Sequence, residues 1–295
     1  MHAHGPSPRS SPRKGEGAKW LLNVARLPRL LLLAGLLLYT AFVLGPLVWL
    51  AVMSLRTTPE INLAPYALPG VYHWDKYVTA WTRSSYGAYF WNSALVALGA
   101  VSIVTVIGAM AAYCLGRRRF PGNRAMLYLI VSTIILPPQI TIIALFQVLV
   151  GYRLYNTLAG LILVYVGTQL PLTVYILESF FARLPQDLFD AARMDGYSEL
   201  EIFWRIAVPV GMPAVVTTVI LNLILLWNEF LFAVVLIADD AKRTLPLGLQ
   251  KFMGDQFVDV GMIATGVMIS VIPVIAVYAF FSERIIQGMT AGAVR

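Results

Sequence analysis

The chain has 295 residues, 59% of them hydrophobic and only 13% charged, with a mean hydropathy of +0.74. Ordinary soluble domains are about 45–50% apolar and about 25% charged, so this chain lacks the charges to coat a water-soluble surface and is far too apolar to be disordered. The formal charge of +7 points either to a polyanion or to a membrane, depending on where the basic residues fall.

The chain opens on Met1–Lys19, rich in Pro, Ser, Gly and Arg, within a basic tail over 1–28 that is expected to be disordered. Six stretches without Asp, Glu, Lys or Arg follow: Leu30–Leu55, Ser84–Gly116, Ala125–Tyr152, Leu154–Leu177, Ile206–Asn228 and Val260–Ser282. The shortest has 23 residues, more than the roughly 20 a helix needs to cross about 30 Å of hydrocarbon. None alternates as a barrel strand would. The expected fold is all-α and membrane-integral, a permease domain over 29–295 with spans at about 30–54, 91–115, 126–150, 157–181, 214–238 and 262–282. The first run exceeds a signal-peptide core of about 7–15 residues and is read as a retained span.

Basic residues set the orientation. Fifteen lie on one side of the expected spans, in the tail, at Arg117–Arg119 and Arg124, at Arg183, Arg193 and Arg205, and at Arg284 and Arg295. The other side has seven, from Arg56 to Lys251. Both termini of this multi-pass membrane chain are therefore expected in the cytoplasm. Basic residues at membrane boundaries describe topology, so no nucleic-acid partner is expected. Cys114 is the only cysteine and lies in an apolar run, which reads as a small buried residue. His2, His4 and His73 lie in the tail and a loop, so neither a metal site nor a catalytic base is expected.

The strongest local signal is the long loop 182–213, expected on the cytoplasmic side. Pro185 suits the start of a short helix, Asp187 and Asp190 suit its positive end, and Gly196 suits a left-handed stop. Ser198 with Glu201 forms a capping box that opens a second helix, which Pro209 limits. Leu188, Ala191, Ala192 and Asp195 make an apolar edge with an acidic end, either for a groove on a partner protein or for the chain's own bundle.

Asp190-Ala191-Ala192, Asp195-Gly196, Ile206 and Pro209 resemble the EAA loop of binding-protein-dependent ABC importer permeases. Position 190 is Asp where the family pattern has Glu, which keeps the charge and shortens the reach; Val208 replaces the commoner Leu. Leu136-Pro137-Pro138-Gln139, Trp227-Asn228-Glu229-Phe230, Thr244–Leu249 and the tail Gly288–Val294 are similar to segments of the maltose-type second permease of sugar importers, in the same order. The resemblance implies a type I importer fold, a second homologous permease, a cytoplasmic ATPase dimer that receives the EAA helix, and an external solute-binding protein for a sugar-like substrate. It also implies that ATP and Mg sit on the ATPase, with no cofactor on this chain. It places Thr290, Ala291, Gly292 and Ala293 between the ATPases and Ala238–Gly261 against the binding protein. The chain has no Gly-x-x-x-x-Gly-Lys-Ser/Thr, in keeping with a separate ATPase and a non-catalytic membrane subunit.

Within the spans, Glu229 is costly in hydrocarbon and shares a helical face with Asn222 seven residues earlier. With Asn228 they are read as facing the path or the permease interface, the alternative being that Glu229 pairs with a partner subunit or reaches the headgroups. Pro137 and Pro138 must free backbone carbonyls, which Gln139 is placed to satisfy, as a pathway kink or a packing kink. Gly160 and Gly167 share a face suited to close helix packing. The competing reading is an ion-coupled secondary transporter, disfavoured by the absence of a convincing internal repeat and by there being just one acid read as buried, Glu229. An intramembrane enzyme lacks a His-Glu-x-x-His or Gly-x-Ser-x-Gly signature.

Overall fold

The computed structural model describes residues 14–118, 120–253 and 258–293, with side chains described between 29 and 282 of these. The chain divides into two units, Met1–Val52 and Met53–Arg295. The first unit is the bulk of helix α1 (Lys14–Ser54). That helix starts inside the segment expected to be disordered. Ala18, Lys19, Leu21 and Leu22 are good helix formers, and extending a helix already nucleated by an apolar run costs little.

The second unit continues with α2 (Thr58–Leu63), α3 (Asp75–Thr82), α4 (Tyr86–Arg117), α5 (Asn123–Ser132), α6 (Pro138–Gly151), α7 (Leu158–Phe181) and α8 (Gln186–Met194). Next come α9 (Glu199–Ile202), a π-turn at Phe203–Ala207, α10 (Val208–Val210), α11 (Met212–Trp227), α12 (Leu231–Leu236), α13 (Leu245–Gly248) and α14 (Val260–Ala293). The described residues contain no strand beyond a single bridge between Met253 and Val258.

Four helical stretches are long and apolar enough to cross a membrane: Arg29–Ser54, Tyr86–Arg117, Leu158–Phe181 and Val260–Ser282. Two further candidates are bent pairs, Asn123–Ile135 with Pro138–Gly151 at 102°, and Glu199–Val210 with Met212–Trp227 at 78°. The span expected over 126–150 is thus broken within its length, while the second bend falls at Gly211, ahead of the span expected over 214–238, which is broken separately after Trp227. Leu136 and Pro137 are extended, with ψ of 122° and 131°, because a proline pushes its predecessor out of the helical region. Pro138 then sits in the first turn of α6, where its missing N–H costs nothing. Ser132 and Thr133 hydroxyls donate to Leu129 O and Ile130 O beside the break, a role expected of Gln139, which is exposed and bonds to no described residue. In the other run the helix stops at Trp227 and restarts at Leu231.

The centre of the second unit is α4 packed along α7. Gly108 faces Thr173, where an added Cβ would lie 2.5 Å from Cγ2, Gly99 faces Ile162, and Gly116 faces Glu178 and Ala182. Residue numbers rise together along the two helices, so they run the same way. Small residues let the backbones close up. Gly160 and Gly167 do not contribute to such a seam: a Cβ on Gly160 would strike Leu154 O at 2.2 Å, and Gly167 faces open space. Asn222 on α11 is buried and donates to Thr173 Oγ1 at 2.8 Å, and Trp227 Nε1 donates to Ser270 O on α14 at 3.0 Å.

Two hydrophobic clusters result, one at each end of α4. One gathers Tyr86, Tyr89, Tyr165, Trp227, Phe232 and Leu245. The other gathers Tyr113, Phe181, Phe189, Ile202 and Phe203 under the loop 182–213.

Candidate coupling surface

In the loop 182–213, Pro185 lies one residue before α8 at φ −57°, ψ 132°, and Asp187 and Arg193 fall at the helix ends that favour their charges. Gly196 closes the turn at φ +83°, a conformation a side chain strains to adopt. The capping box forms: Ser198 N donates to Glu201 Oε2 at 3.0 Å, and Ser198 Oγ accepts from Glu201 N at 3.4 Å.

Phe189 decides which way α8 faces. Its ring is fully buried against Tyr113, at 6.1 Å between centroids, and Tyr113 also meets Phe181 and Phe203. Ala192, three residues on, is buried with it. Leu188, Asp190, Ala191, Met194 and Asp195 are therefore left on the exposed side. The edge expected from the sequence is corrected at one position, since Ala192 turns into the bundle while its neighbours face out. Ile206 is half-buried within the π-turn and Pro209 is exposed on α10. At Gly211, where the chain bends into α11, a Cβ would sit 2.7 Å from the Phe181 ring and 2.8 Å from Ala207 O.

A charged network ties this loop to the end of α4. Arg117 stacks 3.9 Å over Phe189 and donates to Leu184 O at 2.9 Å and to Gln186 Oε1 at 2.8 Å. Asp190 accepts from Arg193 Nη1 at 2.7 Å and from Gln186 Nε2 at 3.0 Å. Glu199 accepts from Arg193 Nε at 3.0 Å and from the Tyr113 hydroxyl at 3.2 Å, and pairs with Arg118 Nη2 at 3.2 Å. Sequence reasoning misses Tyr113, Arg117, Arg118 and Glu199 as members of this site. The arginines carry only a topology signal there, and no spacing rule links residues this far apart in the chain.

The other candidates are scattered. Asn222 is buried within the chain against Thr173. Glu229 lies in the break after α11, where its carboxylate accepts from the Tyr165 hydroxyl, from Phe232 N at 2.8 Å and from Ala233 N at 3.3 Å. It satisfies the free N–H groups that open α12, which explains why the helix restarts there. Asn228 is exposed and bonds back to Ile224 O. Pro138 and Leu136 line a groove of about 830 Å³ with Thr133, Thr141, Gly167 and Thr168. Pro137 and Gln139 are exposed beside it. Cys114, expected buried, is exposed and lines a smaller cavity with Tyr113 and Glu199. The side chains of Thr290, Ala291, Gly292 and Ala293 lie outside the described residues, as do 254–257 of the loop Ala238–Gly261.

Within the described part of that loop, Tyr89 OH donates to Asp240 Oδ1 at 2.9 Å, Asn92 Nδ2 donates to Ala241 O and Arg243 O, and Leu245 N donates to Ser93 Oγ at 2.8 Å. Nearby, Lys76 is buried and donates to Arg56 O at 2.6 Å and Ser54 O at 3.1 Å; burial lowers its pKa from 10.5 to about 8.

Residues 104–290 match the family described as binding-protein-dependent transport system inner membrane component. The chain is 36% identical over 262 residues to the diacetylchitobiose uptake system permease protein NgcG of Streptomyces coelicolor, covering 88% of this chain and 87% of that one. It is 34% identical to the trehalose transport system permease protein SugB of Mycobacterium tuberculosis, over 88% and 94% of the two chains. It is 32% identical to the trehalose/maltose transport system permease protein MalG of Thermococcus litoralis, over 91% and 98%. Among solved structures, a chain of a bacterial ABC transporter that imports the polysaccharide alginate matches with a TM-score of 0.72 at 21% identity, over 94% of this chain and 99% of that one. That likeness fixes the fold.

Proposed function

We propose that this chain, which belongs to the family of binding-protein-dependent transport system inner membrane components, is one of two permease subunits of an ATP-driven importer for a sugar or sugar derivative. It is an inner-membrane, non-catalytic subunit. Six spans, two of them bent, cross with both termini in the cytoplasm, which accords with fifteen basic residues on that side. ATP and Mg are held by a separate ATPase dimer. A second permease completes the pathway and an external binding protein delivers the solute, with Ala238–Gly261 offered to it.

The observation that carries the coupling role is the geometry of α8. A nine-residue helix is backed by an aromatic cluster and presents Leu188, Asp190, Ala191 and Asp195 outward. Short helices with a small apolar face fit grooves on partner proteins. Asp190 spends its carboxylate on Arg193 within the same helix, so it orders α8 from inside while remaining exposed. Ile206 and Pro209 shape the return into α11, and Thr290–Ala293 reach toward the ATPases.

Pull-down of the tagged chain, expressed with its neighbouring genes, is expected to bring an ATPase with it. Gly196→Pro is expected to abolish sugar uptake while the chain still inserts, because proline cannot adopt φ +83° and α8 is re-aimed. Uptake unaffected by Gly196→Pro, with no ATPase recovered, ends this reading. Ligand binding by the cognate binding protein identifies the sugar.

A further inference from the structure

We propose that Glu199 is a positioning residue, the second of two mounts by which α4 holds the coupling helix, so that force on α8 moves the α4–α7 pair. The inference rests on the coupling role proposed above. It concerns how motion leaves α8, which that role does not specify.

Helix α8 is poorly held by its own backbone. Its link to α9 is the turn Asp195–Ser198, built around Gly196 at φ +83°. It contributes only Phe189 and Ala192 to the core. A short helix pinned through one aromatic ring swivels about that ring unless both of its ends are tied. Two consecutive arginines of the α4 terminus supply the ties. Arg117 holds the beginning, through its stack on Phe189 and its bonds to Leu184 O and Gln186 Oε1.

The far end of α8 is reached through Glu199. Its Oε1 receives Arg193 Nε from the last turn of α8 at 3.0 Å and Arg118 Nη2 at 3.2 Å. Its Oε2 receives the Tyr113 hydroxyl of α4 at 3.2 Å. One carboxylate thus joins three donors, one from α8 and two from the end of α4. Asp190 extends the line by binding Arg193 at 2.7 Å. The motif acid on the exposed side of α8 is connected to α4 without passing through the Gly196 turn. The charged groups are about one-third to one-half exposed, and such pairs add little to folding stability. Their convergence on one carboxylate fixes where α8 sits relative to α4.

The test uses the whole importer, with partner permease, ATPase and binding protein, in liposomes. ATP hydrolysed per sugar imported is measured for the wild type, Arg118→Ala, Glu199→Ala and the double variant. Each single change is expected to raise that ratio about fivefold, the low end of couplings between sites. The double variant is expected to be no worse than either, as for residues on one path. Glu201→Gln, which keeps the capping box and removes only the charge paired with Arg205, is the control and is expected to leave the ratio unchanged. If Glu199→Ala does not assemble, Glu199→Gln, of equal size, takes its place and is expected to raise the ratio likewise. An unchanged ratio, fully additive losses, or an equal rise in Glu201→Gln overturns this role for Glu199. A wild-type chain that recovers no ATPase overturns the parent reading and this role with it.

Discussion

The two ends of α4 differ in the balance of what holds them: buried neutral bonds lead at the Tyr86 end, beside an exposed ionic cluster, and half-exposed charges lead at the Arg117 end, over a buried aromatic cluster. At the Tyr86 end, Ser93 Oγ accepts from the buried Leu245 N–H, Asn92 serves two carbonyls, and the Tyr89 and Tyr86 rings fill the space over Gly248 and Gly266. At the Arg117 end, half-exposed guanidinium groups meet carboxylates and a ring face. A buried neutral joint has one good geometry, because any displacement strands polar atoms away from water. A solvated charged joint can trade one partner for another at little cost. The Tyr86 end of α4 is therefore expected to be the stiffer one and the Arg117 end the more adjustable.

Substitutions at each end sharpen or break that contrast. Gly248→Ala would set a Cβ 2.3 Å from Tyr89 Cδ2, and overpacking of this kind costs about 2–3 kcal/mol. The expected result is a clear fall in Tm of the detergent-purified chain. Ser93→Ala leaves the Leu245 N–H buried without its acceptor, at a cost of about 1–2 kcal/mol. Arg118→Ala, at the other end, removes a pair with side chains 49% and 34% exposed, and is expected to cost at most about 1 kcal/mol. A larger fall in Tm for Arg118→Ala than for Ser93→Ala breaks the contrast.

How much of this is legible in the sequence follows from how local each cause is. The capping box at Ser198 and Glu201 and the stop at Gly196 are set by neighbours within a few residues, and they form as expected. Helix α7 covers Leu158–Phe181, within the uncharged and apolar pattern read over 157–181 apart from Glu178. The 102° bend and the break after Trp227 are harder to read. Pro137 and Pro138 announce a disturbance, but its 102° size depends on packing that no window contains. In the sequence, Glu229 looks like a costly charge on a continuous helix. Its carboxylate instead interrupts that helix, with Tyr165 as a distant partner. The inward turn of Ala192 likewise needs Tyr113 and Phe181, residues far away in the chain, to tell which alanine faces the core.

The smallest effect expected concerns the ionic cluster at the Tyr86 end. Asp240 is held by Tyr89 OH, Lys251 and Arg243. Desolvation pushes its pKa up, but the Tyr89 and Lys251 bonds and the two cations outweigh it, so the net shift from 3.8 is downward. A carboxylate with a lowered pKa contributes stability that is complete above the unfolded value and is lost as pH falls through the folded one. The Tm advantage of the wild type over Asp240→Asn is therefore expected to be level near pH 6 and to shrink only below about pH 4. Because Asp240 is largely exposed, that advantage should stay below the loss in Ser93→Ala. An advantage that instead grew as the pH fell would mean that Asp240 is destabilising where it stands, and that the Tyr86 end tolerates charge no better than its neutral bonds suggest.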